Sequence, residues 1–365
     1  MVVSVKKPTV CVAMIVKNEA HVIGRSLASA RRHFDAWVVV DTGSTDETCE
    51  RIIDATQGWK GTLGRVEWKG FGPSRTEALR LAAETGCDYA FVLDADEIFS
   101  VPEGFAWPTD GRDFYNIEMN LNGIVWQQSR LFRLACNWRY EGVLHEFPKS
   151  ETAKTVGKIA GVSLNSPRDG ARSKDPNKYR NDALALEAAI DAEPDNARYV
   201  FYCAQSWRDA GDMDKSIQWS EKVLTMRGWS EERFLAALRL GMMYGATGEM
   251  FLSLDRYLLA MGINPRRAEP YEYLARFYRL REVEGWAHIA YNFAKRGSEV
   301  ERDLQGFQVD LQCHESRIWD ELSIAAFYTG RTKEAIRACK RVISSPYSLP
   351  ETVERAIKNL TFMKA

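Results

Sequence analysis

Apolar residues in the first hundred positions come in short runs that end in charge. Residues 9–16, Ala36–Asp41 and 89–93 are each too short for a stable helix and rich in Val, Ile, Phe and Ala, so they predict buried strands. Between them the spacing changes. Ile23, Leu27 and Ala30 form a helical stripe over residues 19–30, and Ala78, Leu79, Ala82 and Ala83 form another over 74–85. Residues 42–46 predict a turn that supplies an N-cap for a helix over 47–55, and 65–68 predict a third short strand. This strand–helix alternation implies a parallel sheet with helical crossovers. Residues 114–119, 125–134 and 158–164 predict further strands.

The pattern turns wholly helical after a polar, proline-bearing stretch, residues 166–176, that includes Arg168 and predicts a linker or a flexible active-site loop. Gly241, Tyr244, Gly248, Ser253, Tyr257 and Ala260 recur 34 positions later as Ala275, Tyr278, Glu282, Ala287, Tyr291 and Ala294. Similar sets start at Ala204 and at Ser323. A repeat of this length, with small residues where paired helices touch and aromatics toward the next pair, resembles the tetratricopeptide (TPR) repeat. The expected limits are 1–170 for the α/β domain and 171–365 for the helical repeats.

The 365 residues carry a formal net charge of −1. Residues 1–170 hold 20 basic and 22 acidic groups, so bulk charge gives no support to nucleic acid as a partner. The seven cysteines are scattered without a C-x-x-C pair, which indicates neither zinc nor a disulfide framework and suits a cytoplasmic location. Lys6 and Lys7 precede the first apolar run as in a leader peptide, but that run is short and reads as a strand. No apolar stretch is long enough to span a bilayer.

Three predicted strands deliver polar groups to one sheet edge: Lys17, Asn18 and Glu19 after the first, Asp41 on the second, and Asp94 and Asp96 after the fourth. Ligands bind at that edge in open α/β sheets. Two carboxylates two residues apart repel unless a cation joins them, and a hard divalent ion on a nucleotide's phosphates meets that need. A D-x-D phosphatase would need its first Asp near the first strand, and a nucleotidyltransferase a Gly-rich phosphate loop there.

The series Met14-Ile15-Val16-Lys17-Asn18-Glu19, Val38-Val39-Val40-Asp41-Thr42-Gly43-Ser44-Thr45-Asp46 and Leu93-Asp94-Ala95-Asp96-Glu97 resembles family-2 glycosyltransferases of the GT-A fold, a Rossmann-like nucleotide-diphospho-sugar transferase architecture. The resemblance implies a nucleotide-sugar donor, of which a UDP-sugar is expected, with inversion at the sugar carbon. It implies that Asn18, Glu19 and Asp41 line the nucleotide pocket and that Asp94 and Asp96 hold the donor's ribose and Mn²⁺ or Mg²⁺. Arg75 stands where the family often has Ala-Arg-Asn, with Thr76 in the Asn position. Tyr140-Glu141-Gly142-Val143-Leu144-His145-Glu146 resembles the acceptor segment, which makes Glu146 or Glu141 the candidate base, alongside Asp96 as a catalytic residue. His145 is a candidate third metal ligand, and Arg130 and Arg133 are candidate diphosphate clamps. Trp107, Trp126 and Trp138 are candidates to stack on a sugar. Acceptors compatible with this reading are a peptide or protein, a glycan, or a modified nucleobase. The repeats suit self-association into a homodimer. The rival reading is a helical-repeat scaffold whose first domain is inactive.

Overall fold

Alternate residues of the first strand enter opposite cores. In β1 (Val10–Val16), Val10, Val12, Met14 and Val16 pack on one face of the sheet, and Cys11 and Ala13 on the other. The same alternation divides β2 (Ala36–Asp41) and β4 (Tyr89–Val92), so both faces are buried, as a parallel sheet requires. Helices α1 (Ile23–Ala30) and α2 (Thr48–Ala55) bring Ile23, Leu27 and Ile52 to the first face. Helix α3 (Phe71–Glu84) brings Ala78, Leu79 and Ala82 to the second.

The structure is a computed structural model that describes residues 7–363 except 168, 282, 302, 304 and 305. Lys6, Arg168 and Glu282, named above, lie outside the described residues. The chain divides into two units. The first holds the chain up to 119 together with 127–189, and the second holds 120–126 and the chain from 190 onward. The sequence places the limit at 170. Residues 171–189 instead group with the first unit, where Ala171 N–H donates to the Glu19 carboxylate at 3.1 Å.

In the first unit, β3 (Gly61–Arg65), β2, β1 and β4 lie side by side in parallel. Strand β7 (Ile124–Arg133) joins β4 antiparallel, followed by β6 (Phe114–Leu121) and β10 (Val156–Ile159). Two short two-stranded sheets stand apart: β5 (Ile98–Ser100) with β11 (Ser163–Asn165), and β8 (Arg139–Glu141) with β9 (Phe147–Lys149).

Two predicted strands are corrected. The third is Gly61–Arg65, not 65–68. Its glycines hide the strand in the sequence, and they are needed there because a Cβ on Gly61 would come within 2.4 Å of Trp37. The expected strand over 158–164 breaks into β10 and β11 at Gly161, whose φ of +79° redirects the chain into a different sheet.

The second unit pairs successive helices: α5 (Ala197–Asp209) with α6 (Met213–Thr225), α7 (Ser230–Thr247) with α8 (Met250–Ile263), α9 (Glu269–Arg281) with α10 (Trp286–Ser298), and α11 (Ile318–Tyr328) with α12 (Thr332–Ser344). It is a helical repeat region. The repeat is visible as a repeated bond: Ser216 Oγ donates to the Ala204 carbonyl at 3.0 Å, and Ser253 Oγ to the Gly241 carbonyl at 2.7 Å. A Cβ on Gly241 would strike Tyr257 at 2.5 Å, so the small residue is what lets α7 and α8 close. Tyr257 stacks on Tyr273 of the next pair at 5.0 Å between centroids. The glycine of the α9–α10 turn is Gly285, with φ of +76°. Among the described residues no helix is long and apolar enough to cross a membrane.

Candidate functional site

Register brings the ends of three strands level. Val16 pairs with Asp41 across β1 and β2, and Ala13 pairs with Val92 across β1 and β4. The polar residues that follow therefore meet at one edge of the sheet. Asp41 is buried and accepts from the Ser44 amide at 3.1 Å, which folds the turn back over the strand end. Asn18, in the left-handed conformation at φ +58°, accepts from the Thr45 amide at 2.8 Å, and its own amide donates to Ser44 Oγ at 2.9 Å. Asp46 accepts from the Thr48 amide at 3.0 Å at the start of α2.

Parity along the strands explains the next cluster. Ala90 and Val92 face α3, so Asp94, two residues on, faces the same way. Arg75 of α3 meets it: Nη2 lies 2.8 Å from Asp94 Oδ1, and Nε donates to Glu146 Oε1 at 2.7 Å. Burial works against charge on Arg75, but Asp94 and Glu146 more than offset it and hold the guanidinium above its usual pKa. Burial likewise opposes ionisation of Asp94, and Arg75 and Arg130 outweigh it, so its carboxyl lies below the usual range. Arg130 is buried beneath this pair, donating to Glu97 Oε1 at 2.7 Å and to the Val92 carbonyl at 3.1 Å. Glu97 in turn accepts from the Asp94 amide at 2.9 Å, and burial raises its pKa.

Glu146 reaches Arg75 because β8 is pinned to α3. Thr76 Oγ1 accepts from the Tyr140 amide at 2.8 Å, and a Cβ on Gly72 would lie 3.2 Å from the carbonyls of Tyr140 and Gly142. Tyr140 lies against Arg75, with the guanidinium 5.9 Å from its ring centre, and burial pushes its phenol up to about 12.

The segment after β11 closes the site. Ser166 Oγ donates to Asp96 Oδ2 at 3.1 Å, and Arg25 holds Asp169 through two bonds of 2.8 and 3.0 Å. Glu19 accepts from the Ala171 amide, and burial raises its pKa, with Asp96 nearby adding to the shift. A cavity of about 480 Å³ opens here, lined by Asn18, Glu19, Thr42, Trp68, Phe71 and Arg172 among others. Trp68 meets Phe71 edge-on at 4.8 Å, and Arg172 covers the Phe71 ring at 4.6 Å.

The structure thus gathers Asn18, Glu19, Asp41, Arg75, Asp94, Asp96, Arg130 and Glu146. It sets three others elsewhere. Arg133 is opposite Tyr89, at the far end of β4 from Asp94, because β7 runs antiparallel; it faces Asp113 at 3.8 Å. Arg130 and Arg133 differ in parity, so they point to opposite faces of the sheet. Glu141 is held by Arg139 at 2.9 Å and Lys149 at 3.1 Å, which keep its carboxyl below the usual range. His145 is exposed in a left-handed turn at φ +52°. Among the described residues no three His, Cys, Asp or Glu side chains are grouped as a metal-binding set, so Asp94, Asp96 and His145 do not assemble into one. Trp107 and Trp138 pack against core aromatics. The sequence marks 166–176 as a linker or active-site loop, but not the individual contacts of Ser166, Ala171 and Arg172, which lie far along the chain from their partners. Sequence reasoning missed Tyr140, whose place in the acceptor segment was the available signal.

Residues 11–102 match the family described as Glycosyl transferase family 2. The chain is 23% identical over 311 residues to a TPR repeat-containing protein of Synechococcus elongatus, covering 79% of this chain and 72% of that protein. It is also 23% identical over 254 residues to the SPbeta prophage-derived glycosyltransferase SunS of Bacillus subtilis, covering 64% of this chain and 58% of SunS. Among solved structures, MamA aligns with 53% of this chain and 98% of its own at 19% identity, with a TM-score of 0.37.

Proposed function

We propose that this chain, a family-2 glycosyltransferase domain followed by TPR-like helical repeats, moves a sugar from a UDP-sugar to a peptide or protein acceptor. The observation that carries the reading is the Asp94–Arg75–Glu146 bridge, which ties a D-x-D carboxylate to a second carboxylate at the strand-end edge of the sheet. The base and ribose enter the cavity of about 480 Å³, with Asn18 and Glu19 at its polar wall and Trp68 and Phe71 as its apolar one.

The oxygen donors present suit a hard divalent ion. Asp94 is committed to two arginines, so Asp96 is the residue assigned to hold Mn²⁺ or Mg²⁺, and when bound the ion neutralises charge on the leaving diphosphate. Glu146 is the base. Arg75 occupies its Oε1, and Oε2 takes the acceptor's proton as the new glycosidic bond forms and the bond from the sugar carbon to the diphosphate breaks, with inversion. Nucleoside diphosphate leaves with the electron pair. Arg75 orients both carboxylates, and a fork that donates from Nε and Nη2 fixes their separation better than a point charge would.

The helical unit carries the acceptor and offers a surface for a second copy of the chain. The test of the main reading is release of UDP from a panel of UDP-sugars with Mn²⁺ and no acceptor. Release above buffer from at least one sugar is expected; none from any sugar would sink it.

A further inference from the structure

Two donors without partners meet where α5 packs on α7. Gln205 of α5 and Arg239 of α7 line one void of about 10 Å³, with Phe201, Arg208 and Ser216 also on its wall. Gln205 Nε2 and Arg239 Nη1 are both buried and have no hydrogen-bond partner. Ser216 Oγ is committed elsewhere, donating to the Ala204 carbonyl at 3.0 Å.

Charge around this void is one-sided. Among the described residues no carboxylate lines it, and none lies in ion-pair range of Arg239, whose Nη2 donates to the neutral Gln308 Oε1. The Phe201 ring centre is 5.8 Å from the guanidinium and supplies a quadrupole but no charge. Arg208 adds a second cation, already paired with Asp209 at 2.8 Å. Burial, helped by Arg208, pulls the Arg239 pKa down to about 9, so the side chain still carries its charge at neutral pH.

A buried cation and orphaned donors are costly unless something satisfies them. One water would meet both donors but would leave the charge unbalanced. A carboxylate or phosphate would balance the charge but is too large, because a void of about 10 Å³ has room for about one water-sized sphere. A single monatomic anion meets both conditions. We propose that the void between α5 and α7 is a binding site for one halide ion, chloride above all, held by Arg239 Nη1 and Gln205 Nε2 and bracing the two helices against each other. The inference concerns the helical unit and stands whether or not the first unit transfers a sugar.

Thermal melts of the full chain in sodium chloride and in sodium gluconate, at one ionic strength, test it. Gluconate is too large for the void, so the natural chain should melt higher in chloride, with a gain that saturates as chloride replaces gluconate. Gln205→Leu removes one donor and should raise the half-saturating chloride concentration about tenfold, the scale of a hydrogen bond to a charged group. Arg239→Met removes the charge and should abolish the gain, whatever its own Tm. Equal melting in the two salts, a gain that does not saturate, unchanged half-saturation in Gln205→Leu, or a gain that survives in Arg239→Met overturns the proposal. Should Arg239→Met fail to fold, anomalous diffraction from crystals of the natural chain grown in sodium bromide decides. A bromide peak in contact with Arg239 Nη1 and Gln205 Nε2 is expected, and the lack of a peak there would equally overturn it.

Discussion

Arg75 touches both carboxylates of the proposed chemistry, so its geometry matters beyond its charge. Arg75→Lys keeps the charge but loses the fork, and transfer should fall by about 10²-fold with the chain still folded. Steady-state kinetics beside a thermal melt would check this, and a variant with near-normal kcat would remove Arg75 from the positioning role. Glu146→Gln should cost about 10²-fold or more in transfer while UDP binding persists, whereas Glu141→Gln should stay near wild type. The reverse pattern would move the base to Glu141. A different residue sets a pH dependence. Burial pushes Glu272 from the ordinary 4.5 up to about 7, against the pull of Arg317 and with a push from Glu321. A carboxyl raised in the folded state favours folding below 4.5 and loses that advantage as pH climbs through about 7. Stability should therefore drop between pH 5 and 8, and Glu272→Gln should shrink the Tm difference between those two pH values. An identical difference in the variant would contradict the assignment.

At the level of elements, the site depends on how a tight turn is set against α3. Gly142 has φ +110°, and a Cβ there would lie 3.3 Å from the Glu146 Cα. Gly142→Ala should displace Glu146 and lower transfer while calorimetry finds UDP affinity intact, because the proposed nucleotide pocket is built on β1 and β2. Loss of UDP binding instead would mean that the turn supports the donor side. The same elements show what the sequence made legible. Strands β1, β2 and β4 announce themselves because both of their faces are buried, and their trailing carboxylates mark the edge. Strand β3 does not, since Gly61 and Gly64 serve close packing against Trp37 and Leu81 and carry no apolar signal. Arg130 and Arg133 look equivalent in a list of residues, and only the antiparallel register of β7 and the parity of a strand separate the buried partner of Glu97 from the exposed neighbour of Asp113. The closing contacts of Ser166 and Ala171 join residues 70 and 152 positions apart, beyond the reach of any local pattern.

For the molecule as a whole, the proposed donor chemistry belongs to the first unit. Every residue proposed for the nucleotide, metal or proton lies there. The helical repeat was legible from its 34-residue spacing. The central claim, a metal-assisted nucleotide-sugar site at the D-x-D edge, is tested most directly by calorimetric titration of UDP into the full chain and into Asp96→Asn, each with and without Mn²⁺. The account predicts binding to the wild type that Mn²⁺ strengthens, and an Asp96→Asn protein in which the Mn²⁺-dependent gain is lost. No binding of UDP to the wild type, or the same Mn²⁺ gain in Asp96→Asn, would contradict it.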